Sequence, residues 1–263
     1  MTTRRAPILF VVTLLVTLFT VAPMLLSLTA GLVNNYSAGL KSGLTLRWIG
    51  EVWDNYGSTV GWSIAIACGA VVVDLLIGVP CAYALARTKS RWARTFEELL
   101  TLPVAVPGLA TALALILAYG ELRAFRQSFA FILVGHVIFT LPFMVRTVSS
   151  AFERRELVAL EEAAMSLGAS FMQRFLGVLV PAVLPAILAG SLMVFTLSVG
   201  EFNLTWMLHT PLTRTLPVGL ADSYASMRIE IGSAYTLVFF VVILPVLWGL
   251  QFAAHRMQRR HGT

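Results

Sequence analysis

Few residues in this chain are of the kinds that make and break bonds, and their spacing points away from that work. Lys41 and Lys89 are the only lysines, and neither closes the G-x-x-x-x-G-K-[ST] loop that cradles phosphates, so no ATP is expected to be held in that way. His136, His209, His255 and His261 fall into no metal-ligand spacing such as H-E-x-x-H, and no metal site is expected. Cys68 and Cys81 share one predicted helix, about 20 Å apart along its axis and beyond disulfide reach. No nucleophile, base and orienting group are recognisable together, and no cofactor is expected on the chain itself. What remains is Asp74 inside an apolar run, Glu201 with Asn203 in Gly200-Glu201-Phe202-Asn203, and a polar segment around Glu161, Glu162 and Gly168.

That segment has local physical content. From Leu157 to Met165 the residues are good helix formers, with one apolar face and Glu156, Glu161 and Glu162 on the remainder. Gly168 permits a sharp change of direction, Ser170 can cap a second helix, and Phe171, Phe175 and Val178 recur at helical spacing before Pro181. A short helix, a glycine elbow and another helix make a knob suited to a groove on a soluble partner.

The elements that must carry these groups are membrane spans. Of 263 residues 58% are hydrophobic and 12% charged, against about a quarter charged in soluble proteins. Runs nearly free of charge lie at about 6 to 30, 58 to 86, 99 to 120, 127 to 145, 175 to 200 and 231 to 254, each close to the length that crosses about 30 Å of hydrocarbon. Six spans are therefore expected, the first uncleaved although Arg4 and Arg5 precede it. Placing the N-terminus inside puts 13 basic residues in cytoplasmic segments: Arg4, Arg5, Arg87, Lys89, Arg91, Arg94, Arg146, Arg154, Arg155, Arg174, Arg256, Arg259 and Arg260. Only Lys41, Arg47, Arg123, Arg126, Arg214 and Arg228 fall outside, so both termini are expected in the cytoplasm, with the knob. The net charge of +6 is then topology rather than nucleic-acid affinity.

Trp48, Trp53 and Tyr56 suit an outer interface, and Trp92, Phe96, Leu99 and Leu100 form a stripe suited to a helix lying on the inner leaflet. Gly61, Ala65 and Gly69, and Ala182, Ala186 and Gly190, allow close helix approach. The stretch from Leu208 to Ile231, broken by Pro211, Pro217 and Gly219, reads as an ordered outer loop.

With these residues in place, the knob resembles the cytoplasmic EAA loop of ABC importer permeases: E-A-A, three residues, G, nine residues, then I-x-L-P. Glu162, Ala163, Ala164, Gly168 and Pro181 match, and Val178 and Val180 are conservative replacements. Leu44-Thr45-Leu46-Arg47-Trp48 is similar to the S-L-R-W-Y element many such permeases carry after their first span. The resemblance implies an all-α, six-span type I permease as one membrane domain over residues 1–263, with a coupling loop at about 153–178. It implies a bacterial inner-membrane location and three kinds of partner: a pair of ATP-binding subunits, a second permease subunit, with a different chain favoured over a copy of this one, and a periplasmic solute-binding protein. ATP and magnesium would be used by the ATPase. Glu161, Glu162, Ala163, Ala164, Gly168 and Ser170 would form the coupling surface, with Glu162 as the ATPase contact and Gly168 setting the elbow. Permeases of the polyamine, molybdate and sulfate groups show a similar G-E-F or G-E-Y, which makes Glu201 and Asn203 candidates for the solute path or its gate; Asp74 is a candidate because a charge near the middle of span two must face protein or water, the alternative being a hydrogen bond that fixes helix packing. The solute implied is a small organic molecule such as a polyamine or phosphonate, with a molybdate or sulfate-type oxyanion as the alternative.

Two other classes compete. A membrane enzyme would need Asp74, Glu201 and His136 to converge, yet they are read at the middle of span two, the outer end of span five and the middle of span four. An ion-coupled secondary transporter would leave the EAA-like loop without a purpose and has little intramembrane charge to work with.

Overall fold

The computed structural model describes residues 5–88 and 90–261, and for residues 5–8, 253–255 and 257–261 the backbone alone. Of the residues counted for orientation, Arg4 and Lys89 lie outside the described residues, as do the side chains of Arg5, Arg259 and Arg260.

The described residues form α1 (Arg5–Ala30), α2 (Arg47–Tyr56), α3 (Ser58–Arg87), α4 (Arg91–Leu100), α5 (Leu102–Ala105), α6 (Gly108–Tyr119), α7 (Arg123–Arg126), α8 (Phe129–Phe152), α9 (Arg155–Ser166), α10 (Phe171–Arg174), α11 (Val180–Ala182), α12 (Leu184–Gly200), α13 (Asn203–Leu208), α14 (Leu216–Ala225) and α15 (Ile229–His261). A single bridge, Val33 to Leu44, is the only β pairing among them. Four helical stretches are long and apolar enough to cross a membrane: Leu9–Ala30, Ser58–Arg87, Phe129–Phe152 and Ile229–Phe252.

The other two expected spans are broken. Arg91–Ala105 and Gly108–Tyr119 meet at 105°, and Phe171–Ala182 and Leu184–Gly200 meet at 70°. Proline explains both breaks. Pro107 is extended at ψ 135° and supplies no N–H, and Pro185 sits in the first turn of α12 just after Val183, whose ψ of 7° departs from the helical value. The six expected runs are thus four continuous helices and two bent pairs.

Contacts divide the chain into two compact units. Residues 1–58 and 218–244 form one. Within it Arg228 donates to Glu51 Oε1 at 2.7 Å and to the Tyr56 hydroxyl at 3.1 Å, and Glu230 Oε1 accepts from the Tyr36 N–H at 2.9 Å. Trp48 does not merely sit at an interface, since its indole N–H donates to the Val33 carbonyl at 2.9 Å. The apolar side chains of α1 stay exposed along most of the helix, as lipid or another chain would require.

Residues 59–217 and 245–263 form the second unit, which contains the candidate functional groups. Its centre is α8, packed against α3 and α12. Met144, fully buried, lies in a notch made by two glycines: a Cβ on Gly78 would come 2.9 Å from Met144 Cγ, and one on Gly190 would come 2.8 Å from its Sδ. The small residues read as close-approach faces therefore include Gly190, used within the chain; Gly61, by contrast, faces open space.

Candidate functional site

The segment around Gly168 is built as the glycine requires. Gly168 has φ +82°, in the left-handed region where a side chain is strained. The Ala169 N–H donates to the Ala164 carbonyl at 3.1 Å and the Gly168 N–H to the Met165 carbonyl at 3.0 Å, the paired bonds of a Schellman helix end. The next helix starts from a capping box: Ser170 Oγ accepts from the Gln173 N–H at 3.4 Å, and Gln173 Oε1 accepts from the Ser170 N–H at 2.8 Å. That α-helix lasts one turn and loosens into a π-helical stretch at Phe175–Leu179, where a longer helix was expected.

The two glutamates of the segment face opposite ways. Glu162 is exposed, with Ala163, Met165, Leu167 and Gly168, and Leu167 keeps 89% of its surface. Glu161 turns inward at 9% exposure. It accepts from the Tyr83 hydroxyl at 2.5 Å and from Arg87 Nε at 2.7 Å, while Arg87 Nη1 donates to the Phe152 carbonyl at 2.7 Å. Tyr83 is flanked by Phe152, Phe171 and Phe175 at centroid distances of 5.6, 5.8 and 5.3 Å, which limits water at the ion pair. Burial acts to raise the Glu161 carboxyl. The hydrogen bonds from Tyr83 and Arg87 and the charges of Arg87 and Arg174 outweigh it and hold the group below its ordinary range. Glu161 thus fastens α9 to the end of α3, and the surface open to a partner belongs to Glu162 and the apolar residues around the elbow.

The three separately placed candidates Asp74, His136 and Glu201 turn out to be linked. Asp74, fully buried on α3, accepts from the Thr140 hydroxyl at 2.7 Å. Thr140 lies one turn beyond His136 on α8, and its single hydroxyl proton is shared between Asp74 and the His136 carbonyl, the latter at 2.8 Å. The His136 ring meets Ser198 Oγ at 2.7 Å through Nδ1 and Thr205 Oγ1 at 2.8 Å through Nε2, and Thr205 donates to Glu201 Oε2 at 2.8 Å. That last bond uses the Thr205 proton, so Nε2 carries the imidazole hydrogen and Nδ1 accepts from Ser198. The link exists because the chain turns at Glu201 after α12 and starts α13, which brings Thr205 beside α8.

Serine, histidine and carboxylate in one chain of bonds invite comparison with a hydrolytic triad. The geometry argues otherwise: Ser198 and His136 are 3% and 1% exposed, and the acid reaches the ring only through Thr205. Glu201 also accepts the N–H groups of Leu204 and Thr205, each at 2.8 Å, and so caps α13. At the other end Arg126 donates to the carbonyls of Leu208 at 2.8 Å and Met207 at 3.2 Å. A six-residue helix is thereby held by an anion at its N-terminus and a cation at its C-terminus. Asn203 is exposed beside this cap. Tyr83, Thr140, Ser198 and Thr205 carry no sequence signature that singles them out. The signals present were Arg87 closing an apolar run and the i, i+4 pair of His136 and Thr140.

The family described as "Binding-protein-dependent transport system inner membrane component" matches residues 74–259. Over 97% of its length the chain is 29% identical to the putrescine transport system permease protein PotI of Escherichia coli K12, covering 95% of that protein. It is 27% identical, over 97% of this chain and 94% of the relative, to PhnV of Salmonella typhimurium, named for 2-aminoethylphosphonate transport. Among solved structures, a bacterial ABC transporter involved in the import of the acidic polysaccharide alginate superposes with a TM-score of 0.70 at 20% identity, covering 94% of this chain and 96% of that one. The fold is shared with that transporter.

Proposed function

Since the chain belongs to the family of binding-protein-dependent transport system inner membrane components and is a permease subunit of an ABC importer, we propose that the knob formed by α9, Gly168 and α10 is where a separate ATPase grips it. The observation that carries this is the exposed surface of Glu162, Met165 and Leu167 on an elbow fixed from behind by Glu161 and Arg87. Nucleotide-driven closure of the ATPase pair moves the knob, the ion pair passes the motion to α3, and the membrane helices change access from one side to the other. ATP and magnesium belong to the ATPase. This chain contributes the path and no bond-making chemistry, and acts as one membrane domain.

Members of this family work with an ATPase and a solute-binding protein. We further propose a second, different permease subunit enclosing the path with this one, a periplasmic binding protein delivering solute, and cytoplasmic termini, on the strength of the basic-residue count. The solute proposed is a small organic molecule of the polyamine or phosphonate class, supported by similarity along nearly the whole chain to PotI and PhnV.

Copurification tests the coupling surface. The tagged chain, expressed with its neighbouring genes and purified in mild detergent, is expected to bring an ATPase with it. Glu162→Arg should reduce that recovery about tenfold, the effect of removing one charge-assisted contact. Gly168→Val should leave some ATPase bound but separate hydrolysis from uptake, because a β-branched residue strains the left-handed turn by roughly 1–2 kcal/mol or more. Recovery of no ATPase from the unaltered chain would overturn this reading of the knob.

A further inference from the structure

Arg146 is the only charged residue of α8, and it lies six residues before the end of that helix, about 9 Å along the axis. Two other arginines of this unit are engaged, Arg87 with Glu161 and Arg126 with the α13 carbonyls. Arg146 is exposed and has no hydrogen-bond or ion-pair partner among the described residues. It lines a cavity of about 440 Å³ with Thr101, Val104, Phe143, Thr147 and Met193. No carboxylate lines that cavity. Thr101 directs its proton to the Glu98 carbonyl, whereas the Thr147 hydroxyl has no partner among the described residues. The site therefore offers a guanidinium fork and a free hydroxyl donor, with apolar walls, within a helix apolar enough to cross a membrane. An exposed guanidinium without a partner beside a hydroxyl donor is suited to an oxyanion.

We propose that this cavity binds a phosphate-type group, a phosphate or phosphonate oxyanion held by Arg146 and Thr147. The depth suits a phospholipid headgroup, since a residue about 9 Å from the end of a span sits near the border of the hydrocarbon. A solute bearing a phosphonate would present the same oxygens to the same donors. The inference stands apart from the coupling surface, because its readout needs no ATPase activity.

Two measurements on the full chain separate the sources. Native mass spectrometry after exposure to phosphatidylglycerol or phosphatidylcholine reads the lipid, and thermal shift in lipid-free detergent with methylphosphonate or inorganic phosphate reads the free anion. For a headgroup site, Arg146→Gln loses phosphatidylglycerol retention by about tenfold relative to the unaltered chain, without a methylphosphonate shift in either. For a solute site, methylphosphonate raises the unaltered chain's melting temperature and Arg146→Gln abolishes that rise. Both effects together mean one site open to either source. Arg146→Lys should keep part of the binding and Thr147→Val should weaken it without removing the charge, which guards against a misfolded Arg146→Gln protein. Retention and thermal shift that are unchanged by all three substitutions would overturn the proposal.

Discussion

Glu161→Ala is expected to produce the largest loss of coupling of any single change in the loop, while leaving the exposed residues around the elbow untouched. The substitution strands Arg87 in a largely buried position with one strong bond, to the Phe152 carbonyl, and leaves the Tyr83 hydroxyl without its acceptor. Breaking a buried pair from one side costs about 3 kcal/mol, more than the pair itself contributes, because the remaining charge cannot recover its hydration. The expected result is a lower melting temperature and continued ATP hydrolysis with little uptake, since α9 is no longer fastened to α3. Arg87→Ala should resemble it. The double substitution Glu161→Leu with Arg87→Met should regain much of the stability, but not the coupling if the ion pair transmits motion. Equal recovery of both would mean that the pair only holds the fold. The pH dependence follows from the depressed Glu161 carboxyl. Its stabilising contribution is present above the unfolded carboxylate value, near 4.3, and disappears as pH falls through the lower folded value. Uptake between pH 6 and about 8 is therefore expected to be insensitive to this group.

The second large effect is expected at Glu201. Glu201→Ala removes three short bonds, two to backbone N–H groups at the start of α13 and one to Thr205, and should lower stability by about 2 kcal/mol. His136→Leu, which leaves Ser198 buried without its partner and Thr205 bonded to Glu201 alone, should be at least as damaging. Any loss of uptake in Glu201→Ala thus has a structural component, and alanine alone cannot identify a gate. Glu201→Gln separates the two roles by keeping an acceptor for the cap while removing the charge. A Gln variant that melts near the unaltered protein and still loses uptake would place the charge on the solute path. Full uptake would make Glu201 a helix cap and nothing more.

Much of this was legible in the linear chain. Hydrophobic run length and the position of arginines mark the membrane segments, because a helix in hydrocarbon must be apolar over a fixed number of residues whatever surrounds it. The elbow at Gly168 and the cap at Ser170 are equally local: a left-handed turn and an N-cap are decided by residues within one helical turn. The breaks at Pro107 and Val183 had their proline signals in the sequence, but the angles of 105° and 70° depend on what each leg packs against. The inward turn of Glu161 and the outward turn of Glu162 lie one residue apart on the same helix, and only the arrival of Tyr83 and Arg87, more than seventy positions earlier in the chain, decides between them. The joining of Asp74 to His136 likewise waits on α3 packing against α8, and that of Glu201 on α13 folding back against α8. Periodicity and capping are short-range and can be read from the chain, whereas the partner of a buried polar group is chosen by whichever distant helix fills the space beside it.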